Sequence, residues 1–245
     1  MRVSVLMAVV MLLAAAAPTS AAPRAGGVGD ALTGGSGGAA GSVGASGSPG
    51  ACNDNKYTKL NPAARWISTL EWRFRHSSVP AGLNSGEVLA LIKKSFRNVV
   101  NARNDCGLAD RVSATHQYLG TTSRRPNVTR AGGCGAADGY NTVGFGPLDG
   151  YYSGYTCIWW IGAEVVEADV RLDTDTDWAL ASNGCFGELM MEALVTHEVG
   201  HAYNLGHVAE NNHGRLTMSV YIDQLCGNQE ATLGLGDVLG LESMY

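Results

Sequence analysis

The amino-acid sequence predicts an α+β domain in which a twisted sheet packs against two long helices. Apolar residues recur at helical spacing over 86–104 and 188–205, which indicates two amphipathic helices. Residues 70–75 instead alternate apolar with polar side chains, as a half-buried strand does. Several shorter segments of strand composition, separated by glycine-rich turns, lie between the two helical stretches. Because both periodicities are present, the prediction is a mixed fold.

The predicted elements follow one another in a definite order. Pro80 and Gly82 close the first strand, and Ser85 is the expected N-cap of the first helix. The second helix is expected to end at Gly206, because glycine readily adopts the left-handed conformation that stops a helix. Four further strands are predicted between the helices, at residues 112–119, 140–145, 155–161 and 165–172.

The N-terminal region is typical of an exported protein. Arg2 and an apolar run over residues 3–17 precede a stretch of small residues. This order predicts a signal peptide over residues 1–22, with cleavage after Ala21 or Ala22. A membrane anchor is the alternative, but the run is shorter than the ~20 apolar residues that span a bilayer. We therefore expect a secreted protein.

Composition divides the rest of the chain into a linker and one domain. Residues 23–51 are almost entirely Gly, Ala, Ser, Val and Pro, which predicts a flexible linker or a short pro-segment. Residues 52–245 contain no further low-complexity break and are expected to form one monomeric domain. With 22 acidic against 17 basic residues and a net charge of -5, the chain lacks the basic footprint that binding to nucleic acid or an anionic membrane requires.

All six cysteines follow the signal peptide, and an even number in an exported chain predicts three disulfides. Proximity along the chain favours Cys134 with Cys157, and the other pairings are left open. No two cysteines are as close as in a C-x-x-C zinc motif, and a free inhibitory thiol would leave an odd cysteine. The cysteines are therefore expected to be structural.

The stretch from His197 to His207 carries the residues with metal and acid–base chemistry. His197 and His201 are one helical turn apart, so both imidazoles can reach one metal ion. Glu198 lies beside them as a candidate general base, and His207 follows Gly206 as the candidate third ligand. Three histidines and one open position are typical of a catalytic zinc, which activates a water. Three unrelated buried histidines are the less favoured alternative, because an H-E-x-x-H string is rare by chance.

With this motif the sequence resembles the metzincin clan of zinc endopeptidases, most nearly its matrixin-like secreted members. The clan signature H-E-x-x-H-x-x-G-x-x-H is matched at every position but one, where Asn204 replaces glycine. Asparagine also tolerates left-handed conformations, so the departure is a permitted variant. The resemblance implies that Met218 is the methionine of the turn beneath the zinc, the alternative being an ordinary core methionine.

The resemblance also implies an architecture and a way of binding substrate. The family has a twisted, mostly parallel five-stranded sheet with an antiparallel edge strand, and residues 236–245 resemble its closing helix. A protein or peptide substrate would pair with the edge strand, for which Tyr155 to Ile161 is the candidate. Selectivity would come from a pocket bordered by Ser219 to Ile222. Tyr221 could help to stabilise the oxyanion, as a tyrosine near the methionine turn does in some clan members.

Two further groups give weaker signals. Asp173, Asp175 and Asp177 alternate with threonine after a predicted strand, where matrixin-like proteases carry acidic calcium ligands. They are candidate ligands of a structural Ca²⁺, although a solvated strand end is the commoner explanation. His213 could in principle replace His207 as a zinc ligand, although a histidine in a surface loop is the simpler interpretation.

The prediction from sequence is a secreted endopeptidase that binds one Zn²⁺ and hydrolyses internal peptide bonds, with Glu198 as general base. Two alternatives stay open: a non-catalytic, adhesive or latent zinc-binding domain of the same fold, and a zinc hydrolase of a non-peptide substrate. The carboxylate at Glu198 favours an enzyme, because a pure binding site needs no base. A deep, closed pocket would instead favour a non-peptide substrate.

Overall fold

The computed structural model describes residues 22–31, 50–150, 152–222 and 225–245, and within them the fold is α+β. The predicted signal peptide falls almost wholly outside these ranges. No helix in the described part of the chain is long and apolar enough to cross a membrane.

The described residues form ten strands and four α-helices, with single 3-10 turns at His76–Ser78 and Gln229–Ala231. In chain order the strands are β1 (Arg24–Ala31), β2 (Thr58–Lys59), β3 (Leu70–Phe74), β4 (His116–Thr121), β5 (Asn141–Phe145), β6 (Tyr152–Ile161), β7 (Glu164–Leu172), β8 (Trp178–Ala179), β9 (Leu189–Met190) and β10 (Leu205–Gly206). The helices are α1 (Ser85–Val100), α2 (Met191–Ala202), α3 (Glu210–His213) and α4 (Leu235–Glu242).

Six strands form one mixed sheet, in the order β1-β6-β7-β5-β3-β4. The four strands β4, β3, β5 and β7 run parallel, whereas β6 is antiparallel to β7 and β1 is antiparallel to β6. Four of the six strands are thus parallel to one another, and the sheet as a whole is mixed. The prediction of five strands with residues 155–161 at the edge is wrong, because β1 pairs along β6 and adds a sixth strand.

Strand β1 comes from the segment predicted to be a flexible linker or a short pro-segment. Its residues pair with β6 from Arg24 opposite Trp160 to Ala31 opposite Tyr152. The glycines in this segment leave no hydrophobic period, but ladder hydrogen bonds need only the main chain. The structure thus gives residues 24–31 as a strand, and residues 32–49 of the predicted linker or pro-segment lie outside the described residues.

The core lies between the sheet and the two long helices. The Phe96 ring of α1 stacks on Trp72 of β3, with ring centroids 4.3 Å apart and the planes 5° from parallel. Each such buried side chain contributes about 1.5–3 kcal/mol relative to an exposed one. The face of α1 that packs inward repeats at helical spacing, through Val88, Ile92, Phe96 and Val99.

The structure corrects three element boundaries, two at α1 and one at β4. The N-cap of α1 is Asn84 rather than Ser85, because the Asn84 side chain accepts hydrogen bonds from the N–H groups of Gly86 and Glu87. The helix ends at Val100, and β4 begins at His116 rather than at residue 112. Local composition could not fix these ends, because cap and ladder contacts decide them.

Helix α2 is buried along its whole length, since every residue from Met191 to Ala202 is buried. It ends before the predicted residue 205, because Asn204 adopts a left-handed φ of 71° and turns the chain away. Gly206, the predicted stop, lies instead in β10 and pairs with Thr58 of β2. Glycine is needed there because an added Cβ would lie 2.5 Å from Thr58 Oγ1.

Three disulfides join segments that are distant in the chain. Cys134 pairs with Cys157 of β6, as proximity predicted. The other two bridges are Cys52–Cys106 and Cys185–Cys226. With every cysteine paired, the three disulfides indicate an extracellular or otherwise oxidising environment.

Candidate metal centre

The imidazoles of His197, His201 and His207 converge on one point. The Nε2 atom of His197 lies 2.9 Å from that of His201 and 3.2 Å from that of His207. The Nε2 atoms of His201 and His207 are 3.0 Å apart. His197 and His201 are fully buried, and His207 is partly exposed. The three residues form a group whose ligand atoms could hold a metal ion.

Backbone carbonyls orient the two helical histidines. His197 Nδ1 contacts the carbonyl oxygen of Thr217, and His201 Nδ1 lies 2.8 Å from that of Leu205. A carbonyl oxygen can only accept, so each Nδ1 carries the hydrogen and each Nε2 presents a lone pair to the centre. Two lone pairs that face each other repel, and a cation between them removes that repulsion.

His207 reaches the centre through the segment that follows α2. The left-handed turn at Asn204 leads into β10, whose residue Gly206 pairs with Thr58. Thr58 Oγ1 also donates a 2.7 Å hydrogen bond to the carbonyl of His207. The position of the third imidazole therefore depends on β2, a segment far away in sequence.

The donor set fits a divalent transition metal. Imidazole nitrogens suit zinc, copper, iron or nickel. A tetrahedral zinc with Zn–N bonds of about 2.0–2.1 Å holds its nitrogen ligands about 3.3 Å apart, so the observed triangle needs to expand by only a few tenths of an ångström. Three protein ligands leave one coordination position for a water or a substrate.

Glu198 follows the first ligand in α2 and its carboxylate lies against β6. The Thr156 hydroxyl donates to this carboxylate, and its oxygen also lies 3.1 Å from the Glu198 carbonyl oxygen. At Gly154 an added Cβ would overlap Glu198 Oε1. A glycine at this point of the strand thus makes room for the carboxylate, and a threonine holds it. The glutamate is fully buried.

Met218 packs beneath the helix that carries two of the ligands. It is 1 % exposed, and an added Cβ at Gly200 would overlap its sulfur. Its carbonyl accepts a 2.9 Å hydrogen bond from the N–H of Val208. The turn that contains Met218 is therefore fixed both to α2 and to the chain just after His207.

Asp237 is a supporting residue that sequence reasoning missed. Its Oδ2 accepts hydrogen bonds of 2.9 Å from the N–H groups of Thr217 and Gly234, and its Oδ1 accepts one of 3.2 Å from Met218. Burial raises the pKa of Asp237 to about 6, although these hydrogen bonds act in the opposite direction. The carboxylate thus fixes the loop whose Thr217 carbonyl orients His197. The available signal was an aspartate in the first turn of the closing helix.

The candidate calcium ligands are not brought together. Asp173 accepts hydrogen bonds from the N–H groups of Leu148 and Asp175, and so anchors a turn after β7. Asp175 and Asp177 are exposed. Among the described residues, the carboxylates of these three aspartates form no group with converging ligand atoms.

The remaining predicted residues lie around the loop after His207. His213 Nδ1 is 2.8 Å from Asp54 Oδ2, so this imidazole makes a hydrogen-bond contact outside the ligand group. Tyr221 is half buried, and its backbone N–H donates to Glu210. Ser219 also donates to this glutamate through its hydroxyl. Glu210, which the sequence did not single out, therefore shapes the predicted pocket wall.

A comparison of the chain with protein-family models and with curated proteins found no match. The function of the site therefore has to be inferred from its own residues and their geometry.

Proposed function

We propose that this protein is a secreted, zinc-dependent endopeptidase of the metzincin type. The observation that carries the proposal is the convergence of three Nε2 atoms, two of them oriented by carbonyl contacts, beside a buried glutamate. A site that only stored or displayed a metal would have no use for a carboxylate held in this position.

Each residue has a separate role in the proposed reaction. His197, His201 and His207 hold the zinc, which when bound polarises the scissile carbonyl and lowers the pKa of the attacking water. Glu198 accepts the proton from that water and later delivers it to the leaving amine. Thr156 is a positioning residue, because its hydroxyl holds the Glu198 carboxylate.

Two features support the metzincin type over other H-E-x-x-H hydrolases. Asn204 has the left-handed conformation that the signature glycine would supply, and the third histidine follows it. Met218 packs against Gly200 of α2, which supports its proposed place in the methionine turn beneath the zinc. A peptide is favoured as substrate because β6, which contacts Glu198, already pairs through its backbone with an extended segment, β1.

The first test combines metal binding with peptide hydrolysis. The purified protein should bind one zinc and cut peptides internally, and removal of zinc by a chelator should abolish cleavage until zinc is restored. Glu198→Gln should keep the zinc and lose about 10²–10⁴-fold in kcat. Glu71→Gln, which changes an exposed glutamate on β3, is the matched control and should cleave like the wild type.

Gly154→Ala gives a second variant, in which none of the proposed ligands and not the proposed base is itself substituted. The added methyl group overlaps Glu198 Oε1, so kcat should fall while the zinc content is unchanged. Wild-type activity in Glu198→Gln with zinc bound would refute the proposal, as would a protein that binds no zinc.

A further inference from the structure

Strand β1 lies where the sequence predicted a substrate to bind. It is antiparallel to β6, and its residues Val28 to Asp30 stand opposite Thr156 to Gly154 in the register. Two of these residues of β6, Thr156 and Gly154, lie against Glu198. The chain thus places one of its own extended segments along the strand beside the metal centre.

The fit of this segment depends on two adjacent glycines. An added Cβ at Gly27 would lie 2.6 Å from Cys134 Sγ and 2.7 Å from the Tyr155 ring. On the preceding residue, Gly26, an added Cβ would lie 3.0 Å from the Trp160 ring. A side chain at position 27 has no space, and a side chain at position 26 has almost none.

The walls that impose this limit are held in place. Cys134 is bonded to Cys157, which belongs to β6 itself. The Tyr155 ring packs edge-on against Tyr152, and on another side an added Cβ at Gly132 would lie 2.9 Å from it. Neither Cys134 nor the Tyr155 ring can move away easily. The lack of space opposite this part of β6 is therefore a property of the folded domain.

We infer that the outer side of β6 is a binding groove for an extended peptide with glycine at two adjacent positions, and that residues 24–31 occupy it as a tethered competitor for substrate. The inference rests on the proposed endopeptidase function for its effect on hydrolysis. Its binding part stands on the β1 contacts alone. A tethered segment acts at an effective concentration of about millimolar, so a free peptide must displace it.

The test uses the zinc-loaded chain with its N-terminal segment intact, checked by mass spectrometry. Gly27→Leu should expel β1 without altering the domain, because the new side chain meets Cys134 and Tyr155. Ala25→Leu is the matched control: it enlarges an exposed residue of the same strand that already has a Cβ. Hydrogen exchange of residues 152–161 reports docking, and hydrolysis of a fluorogenic peptide reports competition.

Gly27→Leu should speed amide exchange in β6 and raise kcat/KM at least about fivefold, whereas Ala25→Leu should do neither. Unchanged exchange in Gly27→Leu would overturn the inference. Faster exchange with unchanged hydrolysis would overturn it too.

A binding measurement separates this inference from the proposed function. A labelled peptide with the sequence of residues 22–31 should bind Gly27→Leu at least tenfold more tightly than wild type. The same peptide with leucine at the position of Gly27 should not bind. If no variant hydrolyses peptides, this binding pattern still supports the groove and its occupant. Equal binding to the two proteins, or equal binding of the two peptides, would overturn them.

Discussion

Asn204 shows at the residue scale how one side chain can replace a glycine and add contacts. It has a φ of 71° and is fully buried. Its Oδ1 accepts a 2.9 Å hydrogen bond from the Asn61 N–H, and its Nδ2 donates to the carbonyls of Asn61 and Ala64 at 2.7 and 2.6 Å. Glycine would allow the turn but could not fasten the segment before β3 to the metal centre.

This arrangement predicts an order of stability among variants of Asn204. Asn204→Gly keeps the turn but leaves three backbone groups of Asn61 and Ala64 without their partner, and should lose about 1–3 kcal/mol of unfolding free energy. Asn204→Ala should lose a further ~1–2 kcal/mol, because alanine is strained at positive φ. Denaturant unfolding at saturating zinc measures both. Equal stability of the glycine variant and the wild type would contradict the role assigned to the amide.

Helices α1 and α2 are joined at the element scale by a polar network inside an otherwise apolar interface. Glu192 accepts hydrogen bonds from Lys94 at 2.7 Å, Asn98 at 3.0 Å and Asn228 at 3.2 Å. Burial alone would raise the pKa of Glu192, but these hydrogen bonds outweigh burial and lower it. The network therefore favours the ionised carboxylate.

The lowered pKa predicts how stability depends on pH. A carboxyl with a lower pKa in the folded state stabilises the protein above its unfolded value of 4.5, and this contribution is lost as the pH falls through the folded value. Glu192→Gln should lower the unfolding free energy by about 1–3 kcal/mol at pH 7 and by less at pH 3. Urea unfolding at the two pH values measures the difference, with Glu71→Gln as the exposed control. A loss that stays the same at both values would mean that packing, not charge, is responsible.

The three disulfides act at the scale of the whole molecule. Cys52–Cys106 closes 54 residues of chain, Cys185–Cys226 closes 41, and Cys134–Cys157 closes 23. A cross-link stabilises the native state mainly by restricting the unfolded chain, and more so for a longer loop. The bridge at Cys52 also holds the segment that leads to β2 and so to His207.

The loss of stability on removing one bridge should therefore increase with the length of the loop that the bridge closes. Replacing both Cys52 and Cys106 by alanine should cost about 4 kcal/mol, and replacing both Cys134 and Cys157 about 3 kcal/mol. Guanidinium unfolding of the zinc-saturated double variants tests the order. The reverse order would show that native contacts around the bridges outweigh the entropy of the loops.

The sequence by itself determined the features that depend on one element or on composition. The spacing of His197 and His201 follows from the pitch of a single helix, so their convergence could be predicted. The parity of the cysteines predicted three bridges, and the alternation along β3 predicted a strand. Each of these properties is local, or needs only a count.

Only the tertiary structure decided the contacts between segments that are distant in the chain. The support of the Met218 turn by Asp237, the space that Gly154 leaves for Glu198, and the pairing of β1 with β6 have no local signature. The physical reason is the same in each case. Each of these contacts needs a second segment: the N–H groups that the carboxylate binds, the side chain that lies opposite the glycine, and the strand that completes the hydrogen-bond ladder. Only the folded chain brings that segment into place.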